Sequence, residues 1–208
     1  MKDNGYLSEV FGIEEILLKK DYYCEDELYH LYERNVKNCE KCRLAKGRTN
    51  IVFGEGNPKA ELMFIGEGPG AEEDKQGRPF VGRAGQLLTK MIEAMKFKRS
   101  EVYIANIVKC RPPNNRAPFQ DEITTCIPYL HKQVEIISPK VIVCLGSIAV
   151  SSLLNTTKAI SKVRGEFRDF RGIKVMPTFH PAYLLRNPKM KKLAWEDLQK
   201  VMKLLGKL

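Results

Sequence analysis

Residues 61–108 read ELMFIGEGPGAEEDKQGRPFVGRAGQLLTKMIEAMKFKRSEVYIANIV, and the order of patterns in this stretch decides the fold. Glu61–Gly66 is a short, almost unbroken apolar run, as expected of a strand buried on both faces. A polar, glycine-rich segment follows over Glu67–Val81 and reads as a loop. Gly85–Phe97 then repeats apolar residues at helical spacing through Leu87, Leu88, Met91, Ile92 and Met95. Val102–Val108 returns to the strand pattern, interrupted only by Asn106. Strand, loop, helix and strand in that order make a unit whose apolar strands need cover from helices on both sides.

The rest of the chain extends the alternation. Arg111–Pro118 reads as a loop, Asp121–Ile137 as a helix, Val141–Leu145 as a buried strand and Ser147–Leu154 as a short helix. Gly165–Phe179 resembles a hairpin turning near Arg171 and Gly172, and Lys189–Leu208 is a basic, amphipathic closing helix. The expectation is an α/β protein: a three-layer α/β/α sandwich around a central, mainly parallel, four-stranded sheet. Residues 1–36, with Ile13, Ile16, Leu17, Leu28, Leu31 and Tyr32 at helical spacing, read as a helical N-terminal extension to a domain over 37–208. Cys24 and His30 in that extension lack partners at ligand spacing and are not expected to bind metal.

With 208 residues, 43% of them hydrophobic, the chain suffices for one well-buried domain. Its formal charge of +10 and pI near 9.3 point first to a polyanionic partner, above all nucleic acid. No apolar run approaches the length of a membrane span. The N-terminus lacks the charged, apolar and small-residue pattern of a secretory signal, so a cytoplasmic protein is expected. There, thiols stay reduced or hold metal.

Four cysteines carry that expectation further. Cys39 and Cys42 form a Cys-x-x-Cys pair, and Cys110 and Cys126 follow the second strand at a distance that only a tertiary fold closes. Four thiolates so arranged suit structural zinc or an iron–sulfur cluster, and spacing alone does not choose. Cys144, inside VIVCL, reads as a core thiol. The loop Gly66-Glu67-Gly68-Pro69-Gly70-Ala71 approaches the dinucleotide-binding pattern. That pattern, however, needs a helix starting at the loop and an acidic strand end about 20 residues on, and neither is apparent. Glycines at a strand end still mark close approach of the backbone to another group.

Three segments, GEGPGAEEDKQGRPFVGRAGQLL, VYIANIVKCRPPNNRAP and FHPAYLLRNP, together with the four cysteines, resemble the family 4 uracil-DNA glycosylases, the iron–sulfur branch of their superfamily. The resemblance covers roughly residues 36–206. It implies an enzyme of base excision repair that takes uracil-containing DNA, double- or single-stranded, flips the nucleotide into a pocket, and hydrolyses the N-glycosidic bond to leave an abasic site. By the same resemblance Phe80 stacks on the base and Asn106 reads its imide edge. His180 donates to the carbonyl beside the scissile bond, joined by backbone groups of Gly66, Glu67 and Gly68. Gly68 stands where the best-known branch carries a water-positioning Asp, and Gly70 where that branch has a thymine-excluding Tyr. Glu67 is therefore the acid to examine first, while Glu72-Glu73-Asp74 reads as a solvated loop.

The resemblance further implies a [4Fe–4S] cluster on Cys39, Cys42, Cys110 and Cys126, in a structural role. Leu184 is expected as the wedge that fills the space left by the flipped base, with Leu185 its alternative. Arg83, Arg116, Arg186 and Asn187 are the candidate DNA contacts, and the protein is expected to act as a monomer. His131 is read as structural. Two rivals remain: a non-catalytic four-cysteine zinc protein that binds nucleic acid, and a relative that traps uracil-DNA covalently through a His. The insertion associated with such trapping is absent after Gly82-Arg83-Ala84-Gly85.

Overall fold

The structure, a computed structural model, describes residues 26–208. Cys24 and the apolar residues Ile13, Ile16 and Leu17 lie outside the described residues. The sheet has six strands where four were expected: β1 (Glu55–Gly56), β2 (Leu62–Gly66), β3 (Tyr103–Asn106), β4 (Val141–Leu145), β5 (Arg168–Phe170) and β6 (Ile173–Thr178). Their spatial order is β1-β3-β2-β4-β6-β5. The central four run parallel, and the two additions are short antiparallel edges, β1 against β3 and β5 against β6. β1 is two residues long and half exposed, so it carries no apolar pattern to read. β5 and β6 form the expected hairpin, turning through Arg171 and Gly172, both at positive φ.

Alternate residues of the parallel strands serve opposite faces. Met63, Ile65, Ala105, Ile142, Cys144 and Val175 meet helices α3 (Gln120–Ile137) and α4 (Ser147–Leu154). Leu62, Phe64, Ile104, Val143 and Met176 meet α2 (Arg83–Ala94) and the closing helix α7 (Lys191–Leu204). This is the expected three-layer arrangement. β2 is buried along its whole length because both neighbours and both helical layers cover it. No helix among the described residues is long and apolar enough to cross a membrane.

Two local readings need correction. Glu67–Val81 is not all loop, since Ala71–Gln76 forms a short helix, α1. Nor is the acidic run solvated throughout, although Glu72 is exposed. Asp74 is buried and accepts hydrogen bonds from the backbone N–H groups of Thr49 and Asn50 at 2.9 and 3.3 Å. At the N-terminal side, Leu28 and Val36 pack into the core against the α3 and α4 face, and His30 is exposed.

The chain leaves β2 for β3 on one side and later returns to β4 on the other. In such sheets a crevice opens beyond the carboxyl ends of the strands where the direction of winding changes. That end carries Gly66, Asn106 and His180.

Candidate active site

Asn106 ends β3 directly opposite Gly66, which ends β2. Its side chain is only 1% exposed, and its carboxamide oxygen has no hydrogen-bond partner. An orphaned buried acceptor costs on the order of 1–3 kcal/mol, so this oxygen is held ready for a donor that arrives. A methyl group at Gly66 would lie 2.5 Å from both that oxygen and the Phe80 ring. Glycine there is what lets amide and ring approach the strand end together.

Phe80 is buried and sits at φ +51°, an uncommon conformation for an aromatic residue. Its neighbours enforce it. Glu73 Oε1 accepts from the N–H groups of Val81 (2.8 Å) and Gly82 (2.9 Å), and its Oε2 accepts from Gly70 (3.2 Å). One carboxylate thus ties the loop after β2 to the turn that carries Phe80. Gly85 supports the same turn, because a Cβ there would fall 1.9 Å from the Phe80 carbonyl oxygen.

Beyond the short helix α5 (Ile160–Val163) and β6, His180 caps helix α6 (Pro181–Arg186), where its Nδ1 accepts from the Ala182 N–H at 3.1 Å. With Nδ1 an acceptor, the neutral ring carries its proton on Nε2. Burial, with a smaller contribution from the Arg186 cation, pushes its pKa down to about 4, so the ring is neutral at pH 7. Its centroid lies 5.7 Å from that of Phe80. Gly146, at φ +89°, leaves room for it. The Thr178 end of β6 is fixed from behind by Asp197, which accepts from Thr178 Oγ1 at 2.6 Å and pairs with Arg164.

These side chains share one cavity of about 490 Å³ with Glu67, Gly68, Pro69, Tyr183, Arg116 and Arg186. Glu67 is half-buried, and desolvation raises its carboxyl pKa. The cavity can take a planar ring against Phe80, with an amide at one edge and an N–H donor at another.

The candidate contact residues are distributed unevenly. Leu184 does not face outward as the wedge reading requires. It is 1% exposed and packed with Phe179 and Ala194, because the six-residue helix turns that side onto the core. Leu185, at 37%, is the exposed member of the pair. Arg83 and Asn187 are exposed. Arg116 is engaged in a two-pronged pair with Glu122 (2.7 and 2.8 Å), with its guanidinium 3.8 Å from the centroid of the exposed Phe119 ring.

Cys39, Cys42, Cys110 and Cys126 line a second, apolar hollow with Val36, Ile51 and Tyr129. Arg48 Nη1 approaches Cys110 Sγ at 3.5 Å, and the Lys109 N–H donates to Cys126 Sγ at 3.3 Å. Burial raises the thiol pKa of Cys126 to about 11. Cys144 is a buried core residue, and His131 packs against Phe170. Reading the sequence alone missed Glu73, which reaches back to the N–H of the N-cap Gly70 and so makes only one half of a capping box, without the Ser or Thr that would have announced it. It also missed Lys109, a cation inside an otherwise apolar run.

The cavity at the carboxyl end of a doubly wound sheet fits the family to which the chain belongs, the uracil DNA glycosylase superfamily, whose profile matches residues 53–199. Within it the chain is similar to type-4 uracil-DNA glycosylases. That of Thermotoga maritima is 49% identical over 189 residues, covering 89% of this chain and 98% of the relative. Those of Sulfurisphaera tokodaii and Saccharolobus solfataricus are each 50% identical, covering 83% and 82% of this chain and 82% and 83% of the relatives.

Proposed function

We infer that the protein is a DNA-repair hydrolase that excises uracil from DNA, and that the Phe80–Asn106–His180 cavity is where it does so. The observation that carries this reading is the unpartnered Asn106 oxygen beside a stacking ring and a neutral imidazole. Uracil flipped into the cavity stacks on Phe80. Its N3–H donates to the Asn106 oxygen, and its O4 accepts from the amide nitrogen; cytosine offers the opposite pattern.

As the C1′–N1 bond breaks, the electron pair moves onto the base and negative charge gathers on O2. The Nε2–H of His180 and the backbone at Glu67 and Gly68 stabilise it. The sugar becomes cationic at C1′, and water adds there, placed by Glu67. The water's hydroxyl stays on C1′ and its proton ends on the departing uracil or in solvent. Leu185 fills the vacated stack, while Arg83, Arg186, Asn187 and, where its Glu122 pair allows, Arg116 meet the backbone. The enzyme acts as a monomer in the cytoplasm.

The four thiols fit a [4Fe–4S] cluster. They line one apolar hollow, and N–H donors already point at two of the sulfurs. When bound, the cluster supplies a cross-link between 39–42 and 110–126, since glycoside hydrolysis transfers no net electrons.

The test is a labelled oligonucleotide with a single uracil, treated with protein, then alkali, and resolved on a denaturing gel. Strand scission by wild type and its loss in Asn106→Leu and His180→Ala support the reading. An uncleaved wild-type lane overturns it. Iron and zinc analysis of anaerobically purified protein separates the cluster, at about four irons per chain, from the zinc alternative.

A further inference from the structure

Lys109 lies between the two sites, lining the thiol hollow and reaching the end of β3. Its side chain is 1% exposed and among the largest fully buried in the molecule. Its Nζ donates to the main-chain carbonyl of Asn106 at 2.9 Å and to Gln133 Oε1 at 2.5 Å. Gln133, itself buried, is fixed by donating from Nε2 to the Phe53 carbonyl (3.0 Å) and the Tyr103 hydroxyl (3.2 Å). Among the described residues no carboxylate pairs with the Lys109 ammonium, and the nearby Phe53 ring, with its centroid 5.9 Å away, offers only a weak counterpart.

A buried cation without a counter-charge is strongly disfavoured. The candidates for negative charge are the thiolates, whose hollow Lys109 itself lines. Lys109 directly precedes Cys110, and its own N–H donates to Cys126 Sγ. Four thiolates around a 2+ cluster core carry a net charge of −2, with which the ammonium can pair.

We propose that Lys109 is a positioning residue that couples the two sites: its ammonium takes its counter-charge from the thiolate-held cluster and fastens the Asn106 carbonyl, so that the cluster orients the amide that reads uracil. This rests on the [4Fe–4S] assignment. It gives the cluster a part in base recognition through one side chain, with no electron transfer during hydrolysis.

The test uses cluster-loaded protein and three readouts: iron content, the reduction midpoint of the cluster in a dithionite titration followed by electron paramagnetic resonance, and single-turnover excision alongside affinity for abasic-site DNA. Lys109→Met removes charge and donor; Lys109→Gln removes the charge and keeps a donor, and is the milder variant should the first not fold. Both are expected to move the midpoint to more negative potential, because a positive charge that favours the added electron is gone. Lys109→Met is expected to lower the excision rate about 10- to 100-fold, the range for residues that orient a ligand from behind, with DNA affinity within twofold. Lys109→Gln recovers part of that rate at the same shifted potential. Lys140→Met, on the far end of β4, changes neither.

An unshifted midpoint in an iron-loaded variant overturns the charge pairing. A shifted midpoint with an unchanged excision rate overturns the link to Asn106. Wild-type protein without iron fails earlier, at the cluster assignment itself, and the metal analysis identifies that case.

Discussion

Replacing Gly66 with alanine tests the cavity's construction with a single added methyl group. The new Cβ would stand 2.5 Å from Asn106 Oδ1 and 2.5 Å from Phe80 Cζ, distances that real Cβ contacts do not show. Neither neighbour can retreat easily. Asn106 is paired to β2 at this very position, and Phe80 is pinned by Glu73 through the N–H groups of Val81 and Gly82. Overpacking of this kind costs about 1–3 kcal/mol. If the strain is relieved by moving ring and amide away from the base, that range corresponds to roughly 5- to 160-fold in rate, at 1.36 kcal/mol per tenfold. Single-turnover excision from single-stranded DNA measures it without the cost of opening a duplex. Gly47→Ala, where a Cβ meets nothing within 4 Å, is the control. A Gly66→Ala enzyme cleaving within twofold of wild type, with an unchanged melting temperature, would refute the claim that this glycine brings Phe80 and Asn106 together.

Three further outcomes are expected. The folded-state pKa of His180, about 4, lies below its ordinary value of 6.5, so the neutral ring contributes stability above pH 6.5 that is lost as pH falls toward 4. Excision should show no break at the ordinary histidine pKa of 6.5, the acid-side loss being left to the raised Glu67 carboxyl, and thermal melts of His180→Gln should show a weaker acid dependence than wild type. A rate profile breaking near pH 6.5 would count against the neutral donor. Leu185→Ala should slow excision from duplex more than from single strands at an unchanged melting temperature. Leu184→Ala, by contrast, should lower stability by about 2–5 kcal/mol in chemical denaturation, and equal duplex and single-strand losses in Leu185→Ala would dismiss the wedge. Glu73→Gln keeps the shape but weakens three charge-assisted hydrogen bonds, so it should reduce excision about tenfold. Unaltered kinetics would show that Phe80 holds its place without the carboxylate.

The central strands could be read from sequence because burial on both faces leaves unbroken apolar runs, as in ELMFIG and VIVCL. The edge strand Glu55–Gly56 could not, since its pairing to β3 is decided by the partner and not by its own side chains. Helix α1 escaped notice because its acids bond to groups far along the chain, Asp74 to Thr49 and Asn50, and Glu73 to Val81 and Gly82. Asn106 stood out as a polar residue where the strand pattern demanded an apolar one, whereas His180 was marked by the segment FHPAYLLRNP and not by periodicity. The choice between Leu184 and Leu185 had no such signal. Two adjacent leucines look alike until Phe179 and Ala194 claim one of them.

Parallel strands put Gly66, Asn106 and His180 at the same pole of the sheet, and among the described residues none of that site lies at the opposite pole. There Lys140 is exposed and paired to Glu61 where β4 and β2 begin. A dye, a surface tether or a fused partner attached at that pole would hold the enzyme by its blunt end, with the mouth turned toward whatever nucleic acid is offered.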